Sequence, residues 1–200
     1  LGYYRDSERL NFMEIGLSYS DVINTVSPSY ANEIKFPYFA EGLEWITSFK
    51  HIYGILNGIN EELFDPMNTK GILPYNVDDL SNKLENKRKL QEMFCLPRND
   101  DMIIGLVSRF VEGKGLDIVS ARIEELIKND SVQVIFLGSG SSYYEDYYRY
   151  LENKYPNKFK AYIGYSEGVA NLIYAGSDLF LMPSRYEPCG LSQMIAMRYG

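Results

Sequence analysis

Apolar and polar positions change rhythm repeatedly along the chain, and the changes mark out alternating elements. From Met102 onward, short β-rich apolar runs (MIIGLVS, VQVIFLG, FKAYIG, DLFLMPS) alternate with stretches of helical spacing (GLDIVSARIEELIKN, YYEDYYRYLENKY, SEGVANLIYAGS, CGLSQMIAMRYG). Apolar strands alternating with helices predict βαβ units, hence an α/β fold whose parallel sheet is covered on both faces. In the first of these helical stretches, Ile118, Arg122 and Leu126 fall on neighbouring turns.

The region upstream reads as helix, strand, helix. Ser7 is placed to cap RLNFMEIGLSYS, where Leu10, Met13 and Leu17 have helical spacing. DVINTVS reads as a short strand ending at Ser27-Pro28. Pro28 opens the next helix, through SYANEI, because its missing N–H costs nothing in a first turn. FAEGLEWITSFK predicts a further helix and IYGILNG a strand. A polar connection with Asp65-Pro66, Asn68 and Gly71 leads into a charged helix from about Asp79 to Phe94, closed by Pro97 and Asn99.

Right-handed crossovers bring the C-terminal ends of parallel strands to one edge, where open α/β sheets bind ligands. That edge collects Asn57-Gly58, Ser108-Arg109, Gly138-Ser139-Gly140, Gly164-Tyr165 and Arg185 to Gly190.

Composition narrows the chemistry only a little. With 46% hydrophobic residues, 200 residues can bury one full domain and part of another. A net charge of −7 disfavours nucleic acid as the main partner, but leaves room for a local anion pocket. One histidine, His51, and two distant cysteines, Cys95 and Cys189, make a zinc site or a Ser/His/Asp triad a poor expectation and suit a reduced, cytoplasmic protein. No apolar run approaches the ~18–20 residues that span a bilayer. The LGYYRDSERLNF start lacks the basic-then-apolar pattern of a signal peptide. Eighteen tyrosines are many, and packing along a helix face accounts for the YYEDYYRY cluster.

Three loops on the predicted edge carry candidate chemistry. SRFVEGKG puts Arg109 and Lys114 at one helix entrance, where N–H groups add partial positive charge, so a diphosphate is a fitting guest. On spacing alone, two solvated basic residues explain the same pattern. After Glu187, the N–H groups of Gly190, Leu191 and Ser192 could take a phosphate, with Glu187 gripping sugar hydroxyls; a plain helix-start carboxylate is the competing reading. Tyr165 could stack on a base or simply pack. GSGSSY lacks both the third glycine of a dinucleotide fingerprint and a Walker lysine, and reads as a tight strand-to-helix turn. No DxD triplet follows a strand.

Together, SDVINTVSPSYANEI, GILNGINEELFDP, SRFVEGKGLDIV and YAGSDLFLMPSRYEPCGLSQMIAMRYG resemble the bacterial glycogen synthases and plant starch synthases, glycosyltransferase family 5, of the Rossmann-like GT-B architecture. The resemblance implies metal-free, retaining transfer of glucose from ADP-glucose, or UDP-glucose, to the non-reducing end of an α-1,4-glucan. It implies that Arg109 and Lys114 bind the donor diphosphate and that Glu187 contacts the donor glucose and supports charge at its anomeric carbon. It further implies that Gly190, Leu191 and Ser192 meet the phosphates, that Tyr165 stacks on the base and that Asn57 lies in the active site. It gives Cys189 no chemical step.

The resemblance also sets limits. The family's Lys-x-Gly-Gly loop, its N-terminal-domain histidine and its Thr-Gly-Gly-Leu segment are not in these 200 residues. The second glutamate of related enzymes is Ile195 here. The expectation is therefore a fragment: residues 1–58 from the acceptor-side domain and residues 59–200 from the nucleotide-sugar domain, without transferase activity alone. A relative of the sucrose-synthase-containing family, or a non-catalytic nucleotide-sugar or glucan-binding protein, is the alternative.

Overall fold

A computed structural model describes residues 10–200, which divide into two units meeting at Gly58 and Ile59. In the first unit, helix α1 (Phe12–Tyr19) is capped by Asn11, whose side chain accepts from the Met13 and Glu14 N–H groups. The expected cap, Ser7, lies outside the described residues. Leu10 precedes the helix and Met13 on it is exposed, so the stripe read from the spacing is not a core face. Strand β1 (Ile23–Thr25) pairs in parallel with β2 (Ile52–Gly54), Ile23 opposite Ile52. Between them, α2 (Pro28–Glu33) starts with Pro28 in its first turn, under a Ser27 hydroxyl that accepts from the Tyr30 N–H at 3.0 Å.

FAEGLEWITSFK is not one helix. It contributes to α3 (Pro37–Ala40) and α4 (Glu44–Thr47), separated by Glu41 and Gly42 with φ of 50° and 88°. Left-handed backbone cannot continue a right-handed helix, and Gly42 reaches it without steric cost.

The second unit begins with coil and then α5 (Ser81–Met93). Its end differs from the expectation built on Pro97 and Asn99. Cys95 adopts φ 51°, its N–H donates to the Glu92 carbonyl, and the Leu96 N–H donates to the Gln91 carbonyl. This pair of bonds is a Schellman stop, and its left-handed position usually belongs to glycine. Because Cys95 is solvent-exposed, Cys95→Gly should remove backbone strain at little packing cost. We expect about 0.5–1 kcal/mol of added stability, read as a rise in the urea midpoint at constant slope.

Four parallel strands follow: β3 (Met102–Val107), β4 (Val132–Gly138), β5 (Phe159–Ile163) and β6 (Leu179–Phe180), in the order β5-β4-β3-β6. Alternate side chains leave the sheet on opposite faces. Ile103, Ile135 and Leu137 join one core with Leu90, Leu172, Ile173 and Tyr199. Ile104, Leu106, Val134 and Phe136 join the other with Leu116, Ile123, Tyr148 and Leu151. Both faces are thus covered, as the continuous apolar runs predict.

The crossover from β3 to β4 is broken into α6 (Leu116–Ser120) and α7 (Ile123–Asn129), with Arg122 as the cap of the second. Leu116, Val119, Ile123 and Ile127, at helical spacing across the break, face the core, whereas Ile118 is 49% exposed. The tyrosine-rich helix α8 (Ser142–Lys154) buries Tyr144, Tyr148 and Leu151. The Tyr148 ring meets Phe110 and Phe136 edge-on at 5.1 and 5.2 Å, so packing accounts for this part of the cluster. Helices α9 (Glu167–Gly176) and α10 (Leu191–Tyr199) lie before and after β6.

From β3 the chain steps outward to β4 and β5, then α9 returns it to β6 on the other side of β3. The direction of winding therefore reverses between β3 and β6. Loops leaving neighbouring strands at such a reversal separate to opposite faces and open a crevice.

Candidate active site

The loops after β3 and β6 line a cleft of about 210 Å³ at that crevice, and its charged lining is Arg109, Lys114 and Glu187. Arg109 follows the end of β3 and is exposed. Lys114 ends a single 3₁₀ turn, Glu112–Lys114. Glu187 stands in the segment between β6 and α10, with 23% of its side-chain surface accessible.

Two close approaches hold the walls together. Gly115 has φ 69°, and a Cβ there would lie 2.0 Å from the Pro183 carbonyl oxygen, so only glycine lets this loop rest on the β6 loop. The Arg185 N–H donates to the Gly113 carbonyl at 3.2 Å, and the Arg185 guanidinium pairs with Asp117 at the start of α6. Arg185 holds the Asp117 carboxyl below its ordinary range.

Lys114 and Glu187, 73 residues apart in sequence, meet at 2.5 Å between Nζ and Oε2. The Ser184 hydroxyl donates to the same oxygen at 2.9 Å. Burial is the largest influence on Glu187 and pushes its pKa up. The Lys114 ammonium, the Ser184 hydroxyl and the Gly190 N–H together outweigh it and hold the carboxyl below its ordinary value. Glu187 therefore does take a helix-start N–H, yet its strongest bond reaches across the cleft to a cation on the other loop.

Ser192, in the first turn of α10, lines the same cleft, and Gly190 caps that helix with φ 74°. Leu191 is exposed between them. Burial raises the Tyr174 phenol while the neighbouring Ser192 hydroxyl lowers it, which puts a second polar group beside the helix start. Tyr165 is 83% exposed on the loop between β5 and α9 and is not part of the cleft lining. Asn57 is exposed in the coil after β2 in the first unit. Ile195 is a core residue. The glycine run after β4 is a closed turn: the Gly140 N–H donates to Glu145 at 2.9 Å, and a Cβ on Gly138 would lie 1.8 Å from the Ser108 carbonyl oxygen. Four of the eight predicted site residues thus share one cleft.

Ser184 was not singled out from sequence. Its only signal is its place three residues before Glu187, and a lone hydroxyl in a loop is too common to read.

Residues 101–200, half of the chain, match the family model of the glycosyl transferases group 1. The chain belongs to this family. Residues 1–48 match a second model, the starch synthase catalytic domain. Relatives within this glycosyltransferase family include the glycogen synthase of Streptococcus uberis, 45% identical over 100% of the chain and 42% of its own length. The glycogen synthase of Bacillus subtilis is 46% identical over 96% of the chain and 40% of its own length. A solved catalytic domain of starch synthase IV from Arabidopsis thaliana, bound to ADP and acarbose, superposes with a TM-score of 0.86. It is 32% identical and covers 94% of this chain and 39% of its own. The α/β architecture is thus that of a GT-B glycosyltransferase, and the chain spans about two fifths of the length of the glycogen synthases it matches.

Proposed function

We propose that the whole protein is a retaining glucosyltransferase that moves glucose from ADP-glucose to the non-reducing end of an α-1,4-glucan. The observation that carries this reading is the convergence of Arg109, Lys114, Glu187 and Ser192 on the crevice where the sheet reverses, in a chain this similar to glycogen synthases.

The chemistry follows from charge. Departure of a nucleoside diphosphate builds negative charge on the phosphate oxygens while the anomeric carbon becomes electron-poor. Fixed cations help most where charge is still developing. Arg109 and Lys114 take the diphosphate, together with the N–H groups of Gly190, Leu191 and Ser192 at the mouth of α10. Arg109 makes no ion pair among the described residues, so a phosphate meets no competitor there. Glu187 faces the sugar and supports the positive charge at the anomeric carbon. Tyr165 offers an open ring to the base, and Asn57 is assigned to the donor by resemblance alone. The two side-chain cations do the neutralising work, with no metal in the reaction.

We place the protein in the bacterial cytoplasm, which suits its free Cys95 and Cys189. No helix among the described residues is long and apolar enough to cross a membrane. The test is incorporation of labelled glucose into glycogen by the whole protein, from ADP-glucose and from UDP-glucose, with and without a chelator. ADP-glucose should be the better donor, and chelation should leave the rate unchanged. Incorporation from neither donor would refute the reading.

A further inference from the structure

Glu187 receives two side-chain donors on one oxygen, and they come from different places. Lys114 Nζ, at 2.5 Å, reaches over from the loop after β3. Ser184 Oγ, at 2.9 Å, belongs to the same segment as Glu187, three residues upstream. Lys114 has a second claim on it in the proposed reaction, because a diphosphate carries more charge than one carboxylate. An ammonium on a flexible stem follows the larger charge. The carboxylate then keeps the Ser184 hydroxyl, because the Gly190 N–H is among the groups assigned to the phosphates. The charged side chains lining the cleft around it are Lys114 and Arg109, both on the loop after β3, and both are drawn to the same phosphates. The neighbouring Arg185 is paired with Asp117. A partly buried carboxylate that loses its cation swings to solvent or takes up a proton unless another donor holds it.

We infer that Ser184 is a positioning residue for this reaction, holding the Glu187 carboxylate in place and aimed at the sugar while the donor diphosphate occupies Lys114. The inference rests on the function proposed above and adds to it a cleft-lining residue that acts through Glu187. It predicts a defect confined to the step in which Glu187 acts.

The test compares Ser184→Ala and Ser184→Thr in the whole protein. Ser184→Ala should lower kcat about tenfold, the scale of one hydrogen bond to a charged group. Donor KM should stay within about twofold, because ground-state binding is not touched. The acidic limb of the kcat profile should move to higher pH, since a donor that lowers the Glu187 pKa has gone. Ser184→Thr, which restores the hydroxyl, should recover most of the rate and return the limb. A second readout needs no turnover: the carboxyl ¹³C signal of Glu187 should titrate at higher pH in Ser184→Ala. Should the alanine variant fail to fold, Ser184→Cys, of similar size and a weak donor, takes its place. A kcat near wild type, a fall in kcat with the limb unmoved, or an unmoved ¹³C midpoint would each overturn the inference. A moved midpoint in a protein that transfers no glucose would instead overturn the proposed function and leave the hold of Ser184 on Glu187 standing.

Discussion

Lys114→Ala in the whole protein should lower kcat by roughly 100- to 1,000-fold, the usual cost of losing one donor to a developing anion. Three features make the effect large. Lys114 is one of two cations in the cleft, it stands where the sheet reverses, and it already holds a carboxylate at 2.5 Å. The variant loses the phosphate contact and leaves Glu187, a partly buried carboxylate, without its cation. Lys114→Arg should recover only part of the rate, because a planar guanidinium does not reproduce a compact point charge at that distance. Steady-state rates with saturating donor and glucan measure both variants, and a kcat within a few-fold of wild type for the alanine variant would remove Lys114 from the chemistry.

The second large effect is on stability. Gly115→Ala should cost about 2–4 kcal/mol, combining left-handed backbone strain with overpacking. The added Cβ would sit 2.0 Å from the Pro183 carbonyl oxygen, on backbone of the opposing loop that has no flexible end to yield. Gly113→Ala is the control from the same loop. Its Cβ would meet nothing within 4 Å and its backbone is not left-handed, so it should lie within about 0.5 kcal/mol of wild type. Urea unfolding of the two variants side by side measures the difference. Equal stabilities would mean that the two loops do not touch as described.

The sheet was legible because its central strands are near-continuous apolar runs: residues 103–106 and Val132–Gly138 are buried, with Gln133 the one polar side chain among them, as strands of a parallel sheet covered on both faces are. Parallel topology alone places Arg109 and Lys114 on the same sheet edge as Glu187, with no local signal linking them. Legibility failed where backbone geometry overrode side-chain pattern. Nothing in GLDIVSARIEELIKN announces the break before Arg122, although the buried stripe of Leu116, Val119, Ile123 and Ile127 keeps its helical spacing through it. Cys95 ends α5 in a conformation that residue type does not advertise. Glu187 read as two competing things, a helix-start carboxylate and a sugar ligand, and the structure gives it the Gly190 N–H and the Lys114 ammonium together.

The central claim is that a donor diphosphate binds at the reversal between β3 and β6. A crystal structure of the whole protein with ADP tests it most directly. The diphosphate should lie within hydrogen-bonding distance of Arg109, Lys114 and the N–H groups of Gly190 to Ser192, with Lys114 drawn off Glu187 and Ser184 still bonded to it. ADP bound elsewhere, with the pair between Lys114 and Glu187 intact, would contradict the account.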